Sequence, residues 1–198
     1  MLINIVYLRY ITYAFFTYVL NLWKLNFQSI VSWNMGLLDK EPVKRVEKSL
    51  KEFEQSLNII VLDSSARTAI DAASSLNCEV GAIIKSLLFR AEDKFILCLV
   101  AGDKRCSLNK LKKIIKKKDV SMAVPEEVKI QTGYTIGGVS PIGHLNSIEI
   151  LIDKTLERFK DLYAAAGHPN CVFKIDFKNI QKITNGEIKE LTEWDNQK

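Results

Sequence analysis

Lys85 lies inside residues 82–89, Ala-Ile-Ile-Lys-Ser-Leu-Leu-Phe, a run that is apolar on both faces if extended. With a period of two, Ile83, Leu87 and Phe89 share its face. An ammonium buried without a partner is costly, and lysine is rarely fully buried. One reading buries the stem and lets the head reach water at the strand end. A mid-strand position instead favours a lysine turned into a cleft to hold a ligand. Downstream, the stretch from Tyr134 to Gly143 reads as neither helix nor clean strand. Its Gly137 and Gly138 permit positive φ and close approach of a ligand to backbone N–H groups, and Pro141 stiffens the far side of the loop. Such donors suit an ester carbonyl as its oxygen becomes an oxyanion; a plain tight turn is the other reading. Residues 164–170, Ala-Ala-Ala-Gly-His-Pro-Asn, place three small side chains at a strand end, with His168 at the turn beside them. Spacing alone assigns that histidine no catalysis. Lys110, Lys112, Lys113, Lys116, Lys117 and Lys118 cluster in one short stretch. They form a solvated helix face or a track for a phosphate backbone that reads no sequence.

These residues need elements to hold them. Val43, Val46, Leu50, Phe53 and Leu57 recur at helical spacing, behind Asp39 as a cap and Pro42 in the first turn. Residues 58–62 read as a short buried strand. Ser64 or Ser65 is expected to cap a second helix carrying Ala66, Ala69, Ile70, Ala73 and Leu76 on one side. Residues 82–89 and 95–101 read as a hairpin. A helix with Leu108, Leu111, Ile114 and Ile115 inward comes next, then a short one from Pro125 to about Gly133. Strands are expected over 147–153, 162–166 and 171–175, and a last helix over 176–184 with Phe177, Ile180 and Ile183 packed. Helices and strands mix without strict βαβ alternation. The expected fold is therefore α+β or mixed-sheet α/β.

Composition narrows the class. The 198 residues are 47% hydrophobic and 26% charged, which excludes bulk disorder and a multi-span membrane protein. The net charge of +5 permits a polyanionic partner without demanding one. Residues 1–34 hold Arg9, Lys24, no acid and half of the aromatics. Tyr10 to Trp23 is an uncharged run shorter than the roughly 20 residues of a spanning helix. No small-residue cleavage site lies beyond it. Residues 1–34 are expected to be a dispensable or mis-assigned extension, with a membrane anchor second and a secretory signal a distant third. Residues 35–198 form the domain, and Met35 resembles a natural start. Cys78, Cys98, Cys106 and Cys171 form no CxxC pair and have only His144 and His168 as nitrogen companions. Reduced thiols in a cytoplasmic protein are expected, with no metal and no cofactor.

In order along the chain stand Ala66-Arg-Thr-Ala-Ile-Asp-Ala-Ala73, Ile84-Lys85-Ser-Leu-Leu88, Val100-Ala-Gly-Asp-Lys-Arg105, Leu108 to Leu111, Pro125-Glu-Glu127, Thr132-Gly-Tyr134, Gly137-Gly-Val-Ser-Pro141, Ile152-Asp153 and Ala165-Ala-Gly-His168. Together they resemble the YbaK/prolyl-tRNA-synthetase-associated editing-domain family of aminoacyl-tRNA deacylases, over about residues 43–185. The resemblance implies a single domain with a mixed, barrel-like sheet flanked by helices. It implies a trans-acting deacylase that hydrolyses the ester of a small, wrongly attached amino acid on tRNA. Carried onto this chain, it makes Lys85, Gly137, Gly138, Ser140 and His168 the catalytic candidates. Lys85, Val139, Pro141, Ala165 and Gly167 become the substrate-binding ones. Lys112, Lys113, Lys116 and Lys117 are the candidates for tRNA contact. The implied partners are a mischarged tRNA and an aminoacyl-tRNA synthetase, with a membrane as partner only if residues 1–34 anchor the chain. A non-catalytic tRNA-binding or regulatory module of the same fold is the alternative.

Overall fold

The apolar spacing of Val43, Val46 and Leu50 folds as helix α1 (Glu41–Phe53), with all three buried. Lys40 occupies its N-cap in an extended conformation, without a side-chain cap bond, so Asp39 is not the cap. Glu54 turns extended and ends the helix, which leaves Leu57 beyond it. This computed structural model describes residues 36–63, 66 and 68–194. The extension read over residues 1–34 and the caps read at Ser64 and Ser65 lie outside the described residues.

Strand β1 (Ile59–Val61) precedes helix α2 (Ala69–Leu76). The cap of α2 is Thr68. Its hydroxyl accepts from the Asp71 amide at 3.1 Å while the Asp71 carboxylate accepts from the Thr68 amide at 3.2 Å. This reciprocal box satisfies two end donors at once. Ala72 and Ala73 are buried, whereas Ile70 faces outward. The hairpin forms from β2 (Ile83–Ala91) and β3 (Lys94–Ala101), in antiparallel register from Ile84↔Ala101 to Ala91↔Lys94. Only Glu92 and Asp93 connect them, and Glu92 takes a left-handed φ of 57°.

Strand β4 (Lys104–Cys106), helix α3 (Leu108–Ile115), strand β5 (Val120–Met122) and helix α4 (Pro125–Thr132) come next. Leu111 is fully buried, but Leu108, expected inward, is 40% exposed. After the loop come β6 (Glu149–Asp153), a 3-10 turn (Lys154–Arg158), β7 (Leu162–Ala165) and β8 (Cys171–Ile175). Helix α5 (Phe177–Thr184), capped by Asp176, and strands β9 (Glu187–Lys189) and β10 (Thr192–Trp194) complete the described chain.

The main sheet runs β1-β8-β7-β2-β3-β6-β9, with β5 added on β2. It is mixed: β2/β7, β3/β6 and β6/β9 are parallel and the rest antiparallel. Helices flank it, as the resemblance implies. A separate two-stranded sheet joins β10 to β4. The buried Asp153 carboxylate ties this sheet down, accepting from the Leu191 amide at 2.7 Å and the Thr192 hydroxyl at 3.0 Å. Among the described residues no helix is long and apolar enough to cross a membrane.

Candidate active site

One edge of β2 is shared by two strands. β7 pairs at Ile83 and Ile84, and β5 pairs at Phe89 to Ala91. Leu88 is held by the Ala123 amide, which donates to its carbonyl at 3.0 Å. Between these contacts, at Lys85, Ser86 and Leu87, no strand pairs on that side among the described residues. The sheet is split there, and the split opens into a cavity of about 440 Å³. Its walls include Lys85, Ser86, Gly137, Val139, Tyr163 and Ala165. The split joins residues that are far apart in sequence: a strand lysine, a glycine loop and the small-residue strand end.

Lys85 is half-buried, and its Nζ donates to the Lys104 carbonyl at 2.5 Å. The ammonium buried in an apolar strand thus finds a backbone acceptor on β4, which offsets part of its desolvation. Beside it, Ser86 is the residue that sequence reasoning missed. Its hydroxyl is buried and has no hydrogen-bond partner among the described residues. The one uncharged polar residue inside the run 82–89 is the available signal. Ser86 lines the cavity as a residue, but its hydroxyl is turned away from solvent and left without a partner.

The loop after α4 supplies the opposite wall. Gly137 has φ +89°, and a Cβ there would lie 3.5 Å from Pro169 Cγ. Gly138 packs tighter: a Cβ would lie 2.9 Å from the His168 nitrogen. Its amide donates to the Thr135 carbonyl at 2.9 Å, which closes a turn. The amides of Gly137 and Val139 have no such partner among the described residues. Ser140 is wholly buried and points elsewhere, its hydroxyl accepting from the Ile142 amide at 3.4 Å. Pro141 borders a different cleft, with His144 and Leu145. Neither Ser140 nor Pro141 is on the cavity wall.

Of the three alanines, Ala165 lines the cavity while Ala164 and Ala166 are buried behind it. Gly167 has φ +82° and sits against α1, where a Cβ would meet the Pro42 carbonyl at 2.6 Å. His168 is not on the wall, although its neighbour Pro169 is. Its Nδ1 accepts from the Asn170 amide at 3.2 Å, and Lys40 Nζ lies 3.1 Å from Nε2. Burial, and then the Lys40 charge, hold its pKa below the ordinary histidine value. The lowered pKa favours the neutral imidazole; the Asn170 amide and the Lys40 ammonium both donate, and a neutral ring accepts at one nitrogen only, so it takes one of these two bonds at a time.

The lysine stretch lies apart from this cavity, and no α3 residue lines it. Lys113 and Lys116 are exposed and Lys112 is partly so. Lys117 pairs with Glu92 of the β2–β3 turn at 2.6 Å. No group of three metal-ligating side chains occurs among the described residues.

Comparison with known proteins gives the family and the fold. The profile of the aminoacyl-tRNA editing domain matches residues 63–183. A crystal structure of a candidate trans-editing enzyme for prolyl-tRNA synthetase superposes with a TM-score of 0.74 at 34% identity, over 78% of this chain and 98% of that one. The uncharacterised protein YwhH of Bacillus subtilis is 29% identical over 74% of this chain and 93% of its own length. A proline–tRNA ligase of Caldicellulosiruptor bescii is 30% identical over 78% of this chain. The match spans only 26% of that ligase.

Proposed function

The chain belongs to the aminoacyl-tRNA editing domain family, and on that premise we propose that it is a trans-acting deacylase that hydrolyses the ester of a small, wrongly attached amino acid on tRNA. The observation that carries this reading is the split edge of β2. It brings Lys85, Ser86, Gly137, Val139 and Ala165 around one cavity large enough for an aminoacyl group.

An aminoacyl ester is already activated, so positioning and charge stabilisation supply most of the catalysis. Water attacks the carbonyl carbon, and the carbonyl oxygen becomes an oxyanion. The amides of Gly137 and Val139 are the donors assigned to it, because the Gly138 amide is held by Thr135. As the intermediate collapses, the bond to the ribose oxygen breaks. That oxygen takes a proton from the attacking water, leaving free amino acid and tRNA. Lys85 holds the ribose end of the substrate. Ser140, Pro141, Gly138, Gly167 and His168 act from behind the wall by fixing the loop and the turn. Ala165 leaves a chamber for alanine, serine, threonine or cysteine. Lys112, Lys113 and Lys116 meet tRNA phosphates outside the cavity. Relatedness to part of proline–tRNA ligases supports a synthetase as partner and the cytoplasm as location.

A panel of mischarged tRNAs incubated with the full chain tests this reading. Release of the small amino acids, with phenylalanyl-tRNA spared, is expected. Tight tRNA binding without release of any amino acid would instead mark a non-catalytic module.

A further inference from the structure

The loop that carries Gly137 and Val139 begins and ends on a glycine with positive φ, Gly133 at +77° and Gly143 at +70°. One side chain meets both. Arg45, on α1, donates from Nε to the Gly143 carbonyl at 3.1 Å and from Nη2 to the Gly133 carbonyl at 3.2 Å. Its Nη1 pairs with Glu41 one turn earlier, at 2.5 Å. The planar guanidinium lies 5.0 Å over the Tyr134 ring. Tyr134 is fully buried, and its hydroxyl reaches the carbonyls of Ile142 at 2.8 Å and Gly143 at 2.7 Å. Burial pushes that phenol up to about 12, so it stays a donor. His144 completes the underside, with Nε2 2.7 Å from the Ser140 carbonyl.

The glycines fit this arrangement sterically as well as conformationally. A Cβ on Gly133 would lie 2.5 Å from Arg45 Nη2, and one on Gly143 would lie 2.8 Å from the Tyr134 oxygen. Each end of the loop is therefore hollowed to admit the side chain that grips it.

We propose that Arg45, with Tyr134 beneath it, is a positioning residue for the editing reaction: its guanidinium ties the two ends of the loop together and so fixes where the Gly137 and Val139 amides stand in the cavity. Arg45 does not line the cavity, and its guanidinium nitrogens are engaged by Gly143, Gly133 and Glu41, so it acts on the turnover step through the loop. This inference rests on the deacylase reading for its kinetic consequence and on the structure alone for its mechanical one. A fork of donors is needed to hold two carbonyls, and an ammonium on a flexible stem is not equivalent.

The test uses the full chain and the variants Arg45→Met, Arg45→Lys and Tyr134→Phe. Misplaced donors are expected to lower kcat for Arg45→Met by about 10- to 100-fold, with KM for charged tRNA unchanged. Arg45→Lys, which keeps the charge but holds one carbonyl, recovers only part of kcat. Tyr134→Phe keeps the ring and loses the hydroxyl grip, and falls between wild type and Arg45→Met. Amide hydrogen exchange over residues 134–143 quickens in the Arg45 variants, while β2 and β3 stay protected. Wild-type kcat in Arg45→Lys, or unchanged loop exchange in both Arg45 variants, overturns the inference. If Arg45→Met does not fold, Arg45→Lys and Tyr134→Phe decide it. A wild-type chain that cleaves no ester defeats the deacylase reading, and the exchange measurement then judges the clamp by itself.

Discussion

The ammonium of Lys85 is bonded to the main-chain carbonyl of Lys104, so a side chain on the cavity wall is anchored from β4, outside the main sheet. Lys85→Met keeps the apolar stem and deletes the charge. The desolvation cost leaves with it, so the melting temperature is expected to hold. Deacylation is expected to fall by about 100-fold, the scale of losing one preorganised donor. Steady-state kinetics beside a thermal melt checks this. Full activity in the folded variant would remove Lys85 from the site.

Gly137 and Gly138 should respond differently to alanine. At Gly138 the added carbon meets the backbone of His168 at 2.9–3.0 Å, and backbone yields poorly. Gly138→Ala should cost about 1–3 kcal/mol and shift the His168 imidazole resonances. At Gly137 the neighbour is Pro169 at ordinary contact distance, so the penalty is the positive φ, about 1–2 kcal/mol. His168 should then keep its spectrum. Urea melts and proton NMR together separate the two outcomes.

The chain has two histidines, so its imidazole signals are readily followed. Burial is the main cause that lowers both His144 and His168; Lys40 adds to it at His168. Lys40→Met should raise the His168 pKa part of the way to 6.5, the ordinary value. Folded pKa values below the unfolded ones mean that the unfolded chain binds more protons in that window. The stabilisation is complete above about 6.5 and declines as pH falls toward the folded values. Melts between pH 7.5 and pH 5 should show stability dropping on the acid side. A flat profile would contradict the assignment.

For tRNA contact the ion pair of Lys117 with Glu92 matters, because a lysine already neutralised releases fewer counterions. Gln at Lys112, Lys113 and Lys116 should lower the log–log salt slope by somewhat under one unit for each phosphate left without its lysine. Lys117→Gln should change it least. Binding titrations over a salt series decide this, and equal effects at all four would show that the Glu92 pair opens on binding.

Ala165 is the alanine of its trio that faces the chamber. Ala165→Val should slow release of threonine more than of alanine. A methylene-sized change is worth about 1–3 kcal/mol in such a pocket. Uniform slowing across the panel would place Ala165 away from the amino-acid side chain.

Much of this was legible in the sequence, and the reasons are specific. The β2–β3 hairpin declared itself through two long apolar runs around a polar turn. Asp176 and Pro125 marked their helices by local chemistry. The box Thr68-Ala-Ile-Asp71 was also present, yet two earlier serines offered a competing cap. What stayed hidden depends on distant pairing. β4 and β10 are three residues each and exist through one another, Cys106 facing Thr192. β5 is equally short and is held by β2. The direction of Ser140 was unreadable, because an irregular loop has no period to say which side a residue faces. Lys85, Gly137, Val139 and Ala165 meet only because two strands share one edge of β2, which no local pattern encodes.

The small sheet of β4 and β10 gives residues near the C-terminus influence over a carbonyl that faces Lys85. Thr192 is gripped by Asp153 and, through its carbonyl, by Lys110 at 2.7 Å. Substitutions in β10 are therefore expected to reach the Lys104 carbonyl. A premature stop near position 190 would likewise leave every residue of the cavity wall encoded while removing the strand that steadies Lys104.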